Sequence, residues 1–92
     1  MARVNVDIPT PLQNLTQNKA KITLAADDIH SLILALDEKF PGMIQALCDE
    51  GNKIKKFINI YVNAEDIRFL KSDKTELKDN DTVYIIPAIA GG

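Results

Sequence analysis

Two stretches near the N-terminus alternate between apolar and polar residues, which is the pattern of a strand with one buried face. Residues 3–8 place Val4, Val6 and Ile8 on one side, and residues 19–24 repeat the alternation. Two prolines and a polar loop separate the two stretches. We therefore predict a hairpin with a long connection.

The period then changes to that of an amphipathic helix, with apolar residues three or four positions apart. Asp27 or Asp28 can cap the N-terminus of this helix, and the pair Pro41-Gly42 ends it. A second, shorter helical segment is predicted over residues 43–48. The apolar positions of the main helix are Ile29, Leu32, Ile33, Leu36 and Phe40.

Three further strands are predicted in the C-terminal half. Residues 57–62 are β-branched and aromatic, and a turn over residues 63–66 leads to a short strand over residues 67–69. The last strand, residues 82–86, is too apolar for a sheet edge and is predicted to be central. Pro87 ends it, because proline lacks a backbone donor.

This order, β-β-α-β-β-β, predicts an α+β fold. A right-handed crossover lays the main helix over one face of the sheet and lets the last strand run parallel to the first. The arrangement is that of a β-grasp (ubiquitin-like) roll, a mixed sheet of four to five strands packed on one main helix. We expect residues 1–86 to form this domain and residues 87–92 to form a flexible C-terminal tail.

Composition narrows the possible functions. The 92 residues allow one small domain, and 11 Lys and Arg against 13 Asp and Glu give a net charge of −2. This balance removes the main electrostatic support for nucleic-acid binding. The single cysteine, Cys48, excludes an internal disulfide framework and a multi-cysteine metal site. With no signal-peptide pattern and no apolar run long enough for a bilayer, we expect a cytoplasmic protein.

The reactive side chains do not form a recognisable catalytic motif. His30 is predicted on the solvent side of the main helix, and Cys48 is predicted to be a small buried residue among apolar neighbours. Glu65 and Asp66 are adjacent in a turn, so they should point in different directions. The basic run over residues 53–56 is either a solvated loop or a docking patch for an acidic partner. We predict no catalytic residue and no metal site.

The end of the chain offers a different kind of chemistry. Its last six residues could extend to about 20 Å at ~3.3 Å per residue, and none has a charged side chain. Gly91 and Gly92 have no side chain to obstruct a narrow channel. The only reactive group is the main-chain carboxylate of Gly92, which becomes an electrophile only after activation. We therefore predict that this protein is a substrate or a carrier.

Together with the predicted roll, this tail resembles that of the ThiS/MoaD sulfur-carrier family, and the resemblance extends over the whole chain. Members have a β-grasp fold and end in Gly-Gly, preceded by a segment similar to residues 83–87. Within the family, the chain most resembles the CysO-type carriers of bacterial cysteine synthesis. The similar segments are residues 6–10, 57–63, 65–69 and 87–92.

The resemblance implies that an E1-like enzyme uses ATP to adenylate Gly92 and that a sulfur donor then leaves a C-terminal thiocarboxylate. A pyridoxal-phosphate cysteine synthase would supply an activated serine derived from O-phosphoserine, and a zinc metalloprotease would release cysteine. ATP, pyridoxal phosphate and zinc would belong to these partners, with no cofactor on this chain, which we expect to be a monomer when free. The tail that enters a partner's channel would be Pro87, Ala88, Ile89, Ala90 and Gly91.

Other functions remain open at this point. The small subunit of molybdopterin synthase has a similar tail, often with an aromatic residue where this chain has Ile86. Thiamin sulfur carriers are usually shorter, and a ubiquitin-like protein modifier would need the same tail and the same adenylation. A plain β-grasp interaction module, acting through its sheet or its basic run, belongs to a different class. Deletion of Gly92 would separate that module from the carriers.

Overall fold

The computed structural model describes residues 1–87, and the predicted tail residues 88–92 lie outside the described residues. The strands are β1 (Ala2–Asp7), β2 (Lys21–Ala26), β3 (Ile58–Val62), β4 (Glu65–Asp66) and β5 (Thr82–Pro87). The helices are α1 (Ile29–Lys39) and α2 (Met43–Leu47), with short 3-10 helices at Thr10–Leu15, Ile67–Phe69 and Ser72–Lys74.

The five strands form one mixed sheet in the order β2-β1-β5-β3-β4. β5 pairs in parallel with β1, with Val6 opposite Val83, and antiparallel with β3, with Ile60 opposite Ile85. The predicted β-grasp roll and the central position of the last strand are confirmed. A central strand is covered along both edges by its neighbours, and the inward face of β5 is also buried, which accounts for its apolar residues.

The predicted N-terminal hairpin is confirmed, with a shift in its second strand. β1 and β2 pair antiparallel from Ala2 opposite Ala26 to Asp7 opposite Lys21. The strand therefore lies two residues further along than residues 19–24. The hydroxyl of the buried Thr16 donates to the carbonyl oxygen of Lys19 at 2.8 Å, which keeps that residue in the connecting loop.

Helix α1 begins at a capping box that distinguishes the two candidate caps. The N–H of Ser31 donates to the Asp28 carboxylate at 2.8 Å, and the Ser31 hydroxyl accepts the N–H of Asp28 at 3.1 Å. The first of these bonds lowers the pKa of Asp28, because it favours the ionised carboxylate. Asp28 is therefore the cap. The side chains that α1 buries are Ile29, Leu32, Ile33 and Leu36.

The predicted strand over residues 67–69 is wrong. The strand paired with β3 is the two-residue β4, and Ile67–Phe69 is a turn of 3-10 helix. The carboxylate of Asp66 accepts the N–H of Arg68 at 2.9 Å, which starts the helical turn and competes with strand pairing. The hairpin turn is shorter than predicted, with Asn63 at a φ of 57°, a conformation that asparagine tolerates.

Candidate functional site

The structure places the last described tail residue, Pro87, at the end of the central strand. The sequence predicts that the last strand stops before Pro87, but Pro87 is the final residue of β5 and lies opposite Ile58 of β3, at the end of the strand where a missing N–H donor is tolerated. Within β5, only Thr82, Val83 and Tyr84 pair with β1, so the end of β5 borders β3 alone. Pro87 is therefore held in the sheet by β3 alone, whereas Val83 and Tyr84 pair with both β1 and β3. The other predicted tail residues, Ala88, Ile89, Ala90, Gly91 and Gly92, lie outside the described range.

The face of β5 that points away from α1 has exposed apolar side chains close to this exit. Tyr84 and Ile86 are both exposed, and they lie opposite Tyr61 and Asn59 of β3. Phe57, just before β3, is also exposed. Apolar side chains grouped on a protein surface are typical of contact with another protein. Exposed apolar side chains lie here on the sheet face next to Pro87.

A polar network fixes the edge of the sheet beside this face. Arg68 donates from Nη2 to Oδ2 of Asp66 at 2.8 Å and to Oδ1 of Asn59 at 2.7 Å. These bonds tie β3, β4 and the following 3-10 helix together. The Arg68 guanidinium lowers the pKa of the buried Asp66 carboxyl, and Asp66 raises the pKa of Arg68 in turn. Sequence reasoning missed this network, although the Asp-x-Arg spacing after a turn is a signal for it.

The two side chains that suggested nucleophilic chemistry are placed as predicted. His30 is exposed on α1, with Nδ1 at 3.9 Å from Oδ2 of Asp73. Cys48 is buried at the end of α2, and this burial raises the pKa of its thiol. A raised pKa keeps the thiol protonated near neutral pH, which makes it a poor nucleophile. Neither side chain has the surroundings of an activated nucleophile or base.

The adjacent acidic side chains Glu65 and Asp66 do not form a carboxylate pair. Glu65 is exposed and Asp66 is buried, so the adjacent pair points in two directions as predicted. Within residues 1–87, no group of three or more His, Cys, Asp or Glu side chains could hold a metal ion. In that same part of the chain, no helix is both long enough and apolar enough to cross a bilayer.

Comparison with known proteins identifies the family of this chain. The profile of the ThiS family matches residues 6–92, which is nearly the whole chain and includes both terminal glycines. The chain belongs to the ThiS family. The sulfur carrier protein CysO of Mycobacterium tuberculosis is a relative with 37% identity over 91 residues, covering 97% of this chain and 98% of the relative.

Solved structures of similar proteins agree with this membership of the ThiS family. A chain in the crystal structure of the Amycolatopsis orientalis BexX/CysO complex superposes with a TM-score of 0.90 at 37% identity, covering 97% of this chain and 99% of that one. The small archaeal modifier protein 1 of Methanosarcina acetivorans has a TM-score of 0.87 at 28% identity, covering 100% and 98% of the two chains. The β-grasp fold is thus common to carriers and modifiers.

Proposed function

We propose that this member of the ThiS family is a sulfur carrier whose C-terminal thiocarboxylate donates sulfur for cysteine biosynthesis. The observation that supports it best is that the family match extends to Gly92, the residue whose carboxylate would react. The similarity to CysO carriers over 97% of this chain favours cysteine synthesis over the other pathways. The protein then acts as a co-substrate of other enzymes and catalyses no step itself.

The chemistry requires two successive substitutions, the first at the α-phosphorus of ATP and the second at the carbonyl carbon of Gly92. A carboxylate oxygen of Gly92 attacks the α-phosphate of ATP, and pyrophosphate leaves. Hydrosulfide then attacks the acyl carbon of this adenylate, AMP leaves with the bonding electrons, and loss of the proton on sulfur gives a thiocarboxylate in which one carboxylate oxygen has been replaced by sulfur. Because glycine has no Cβ, Gly91 and Gly92 leave the carbonyl open to both partners in this exchange.

The described residues would position the tail for these enzymes. β5 lies between β1 and β3 in the sheet, and the pairing of its last residue, Pro87, with Ile58 of β3 gives the tail a fixed starting point. The exposed Tyr84 and Ile86 would contact the enzyme that takes up the tail. The similar chain of Amycolatopsis orientalis comes from a complex with BexX. We propose that this chain likewise binds an E1-like adenylating enzyme, a pyridoxal-phosphate cysteine synthase and a zinc metalloprotease.

The test is sulfur incorporation at the C-terminus. The protein is incubated with the E1-like enzyme, ATP and sulfide, and intact-protein and fragment mass spectrometry locate the exchanged atom. We expect one oxygen to be replaced by sulfur at Gly92. Deletion of Gly92 should abolish the exchange, whereas Cys48→Ala should leave it unchanged. Sulfur attached to Cys48 with an unchanged C-terminus would refute the proposal.

A second candidate function is protein modification, which the similarity to small archaeal modifier protein 1 favours. In the carrier function, the thiocarboxylate sulfur attacks an electrophile. In the modifier function, a lysine amine of another protein attacks the activated carbonyl of Gly92. The thiocarboxylated protein is offered to the cysteine synthase with O-phosphoserine. A protein carrying one cysteine in amide linkage at Gly92 supports the carrier, while isopeptide bonds from Gly92 to lysines of other proteins, without this product, support the modifier.

A further inference from the structure

An open groove of about 790 Å³ lies between the loop that precedes β3 and the two 3-10 helices that follow β4. Apolar side chains from both sides of the groove and from β3 form its floor. Floors of this kind accept apolar side chains of a ligand, because contact removes apolar surface from water. The floor residues are Ile54, Ile58, Ile60 and Ile67; Ile54 and Ile58 are half-buried and offer apolar surface to a ligand, whereas Ile60 and Ile67 are buried core residues.

The rim of this groove concentrates positive charge on a chain that is negative overall. Four of the 11 lysines and arginines line it: Lys53, Lys55, Lys56 and Arg68. Two carboxylates, Asp66 and Asp73, also line it. Four cations against two anions leave the groove at +2 with His30 neutral, whereas the whole chain has a net charge of −2.

The carboxylates of the groove do not neutralise its lysines. Asp66 is bound by Arg68 at 2.8 Å, and Asp73 lies 3.9 Å from His30. Within residues 1–87, the ion pairs closer than 4.0 Å involve none of the three lysines of this rim. Their ammonium groups are therefore available to an external anion.

We infer that this groove binds an extended acidic segment of a partner protein. The three lysines come from one short stretch of loop that lines the groove, and several carboxylates in one segment match several lysines better than a single anion does. Ile54 and Ile58, the half-buried part of the floor, take the apolar side chains that alternate with those carboxylates in an extended chain. Ile58, in the floor, lies opposite Pro87, so the groove begins beside the point where β5 ends. A partner that takes up the tail also reaches the groove.

The binding test uses a fluorescent peptide of alternating glutamate and valine and its counterpart of alternating glutamine and valine. We expect the glutamate peptide to bind and to shift the amide NMR signals of residues 51–56, 66–68 and 72–73. Replacing the three rim lysines together (Lys53→Gln, Lys55→Gln, Lys56→Gln) should weaken binding about tenfold, since exposed ion pairs contribute modestly one by one. The matched control replaces three exposed lysines outside the groove, Lys19, Lys21 and Lys78.

The control triple should bind the peptide within about twofold of the unmodified protein, given that screened charges far from the site contribute little. Equal losses in both triples, equal binding of the glutamine peptide, or stronger binding of oligouridylate or inorganic phosphate would overturn the inference. Both triples are checked for unchanged thermal unfolding. Deletion of Gly92 separates this inference from the proposed function, because it should abolish sulfur exchange and leave peptide binding intact.

Discussion

The two faces of β5 show how one strand serves two purposes. Val83 and Ile85 point toward α1 and are 1% and 3% exposed, whereas Tyr84 and Ile86, on the opposite face, are 36% and 45% exposed. Val83 and Tyr84 both pair with β1 and β3, and Ile85 and Ile86 both pair with β3, so neighbouring residues on opposite faces have the same strand partners. The difference in exposure therefore comes from the helical layer, which covers one face only. The inner face stabilises the fold, and the outer face can change without unfolding the protein. Surfaces used for partners can therefore diverge within a constant fold.

The largest test of this comparison uses two neighbouring isoleucines. Ile85→Ala should lower the free energy of unfolding by about 2–5 kcal/mol, because it leaves a cavity under α1. Ile86→Ala, the same substitution one position further along, should lower it by about 1 kcal/mol or less. Urea denaturation measures both. Similar losses for the two variants would show that the faces do not differ in their contribution to stability.

A smaller effect is expected at the start of the helix that covers the inner face. Asp28→Ala removes the side-chain acceptor for the N–H of Ser31 and should cost about 1 kcal/mol. Its neighbour Asp27 provides the control, since its only described ion pair is 3.7 Å long and exposed, to the amino group of Met1. Asp27→Ala should change the stability by about 0.5 kcal/mol or less. A larger loss for Asp27→Ala would contradict the assignment of the cap.

The smallest effect concerns acid stability at the sheet edge. Because the bond from Arg68 lowers the pKa of Asp66 in the folded state, the ionised carboxylate stabilises the protein above the ordinary pKa of aspartate. This contribution is lost as the pH falls through the lowered folded pKa. Asp66→Asn should therefore lose less stability on acidification than the unmodified protein does, although it is less stable near neutral pH. Urea midpoints across the acidic range measure this difference, and parallel curves would refute it.

Sequence periodicity suffices where apolar burial decides the structure. The alternation in β1, the helical spacing in α1 and the apolar run in β5 each predict an element that the fold contains. Periodicity alone does not determine the strand order, and the β-grasp arrangement follows only with the right-handed crossover rule. Periodicity fails at residues 65–69, where one hydrogen bond to the Asp66 carboxylate turns the chain into a 3-10 helix. Two strand residues are too few to show a period.

The site is only partly predictable for a similar reason. The basic run before β3 is visible in the sequence, but the groove that it borders is not, because Ile67 and Arg68 arrive from another part of the chain. The bond from Arg68 to Asn59 likewise joins residues that no local pattern relates. The tail prediction rests on backbone chemistry and on the family match. Of the predicted tail, only Pro87 falls within the described residues.

The central place of β5 also affects when this protein can fold during its synthesis. β5 is synthesised after the other four strands, yet it joins the β1–β2 hairpin to β3 and β4. Before it emerges, those two halves have no common strand, and the parallel pairing of Val6 with Val83 must close almost the whole chain into a loop. The sheet therefore cannot be completed until β5 has been synthesised. A nascent chain that is interrupted before β5 remains unfolded and accessible to proteases.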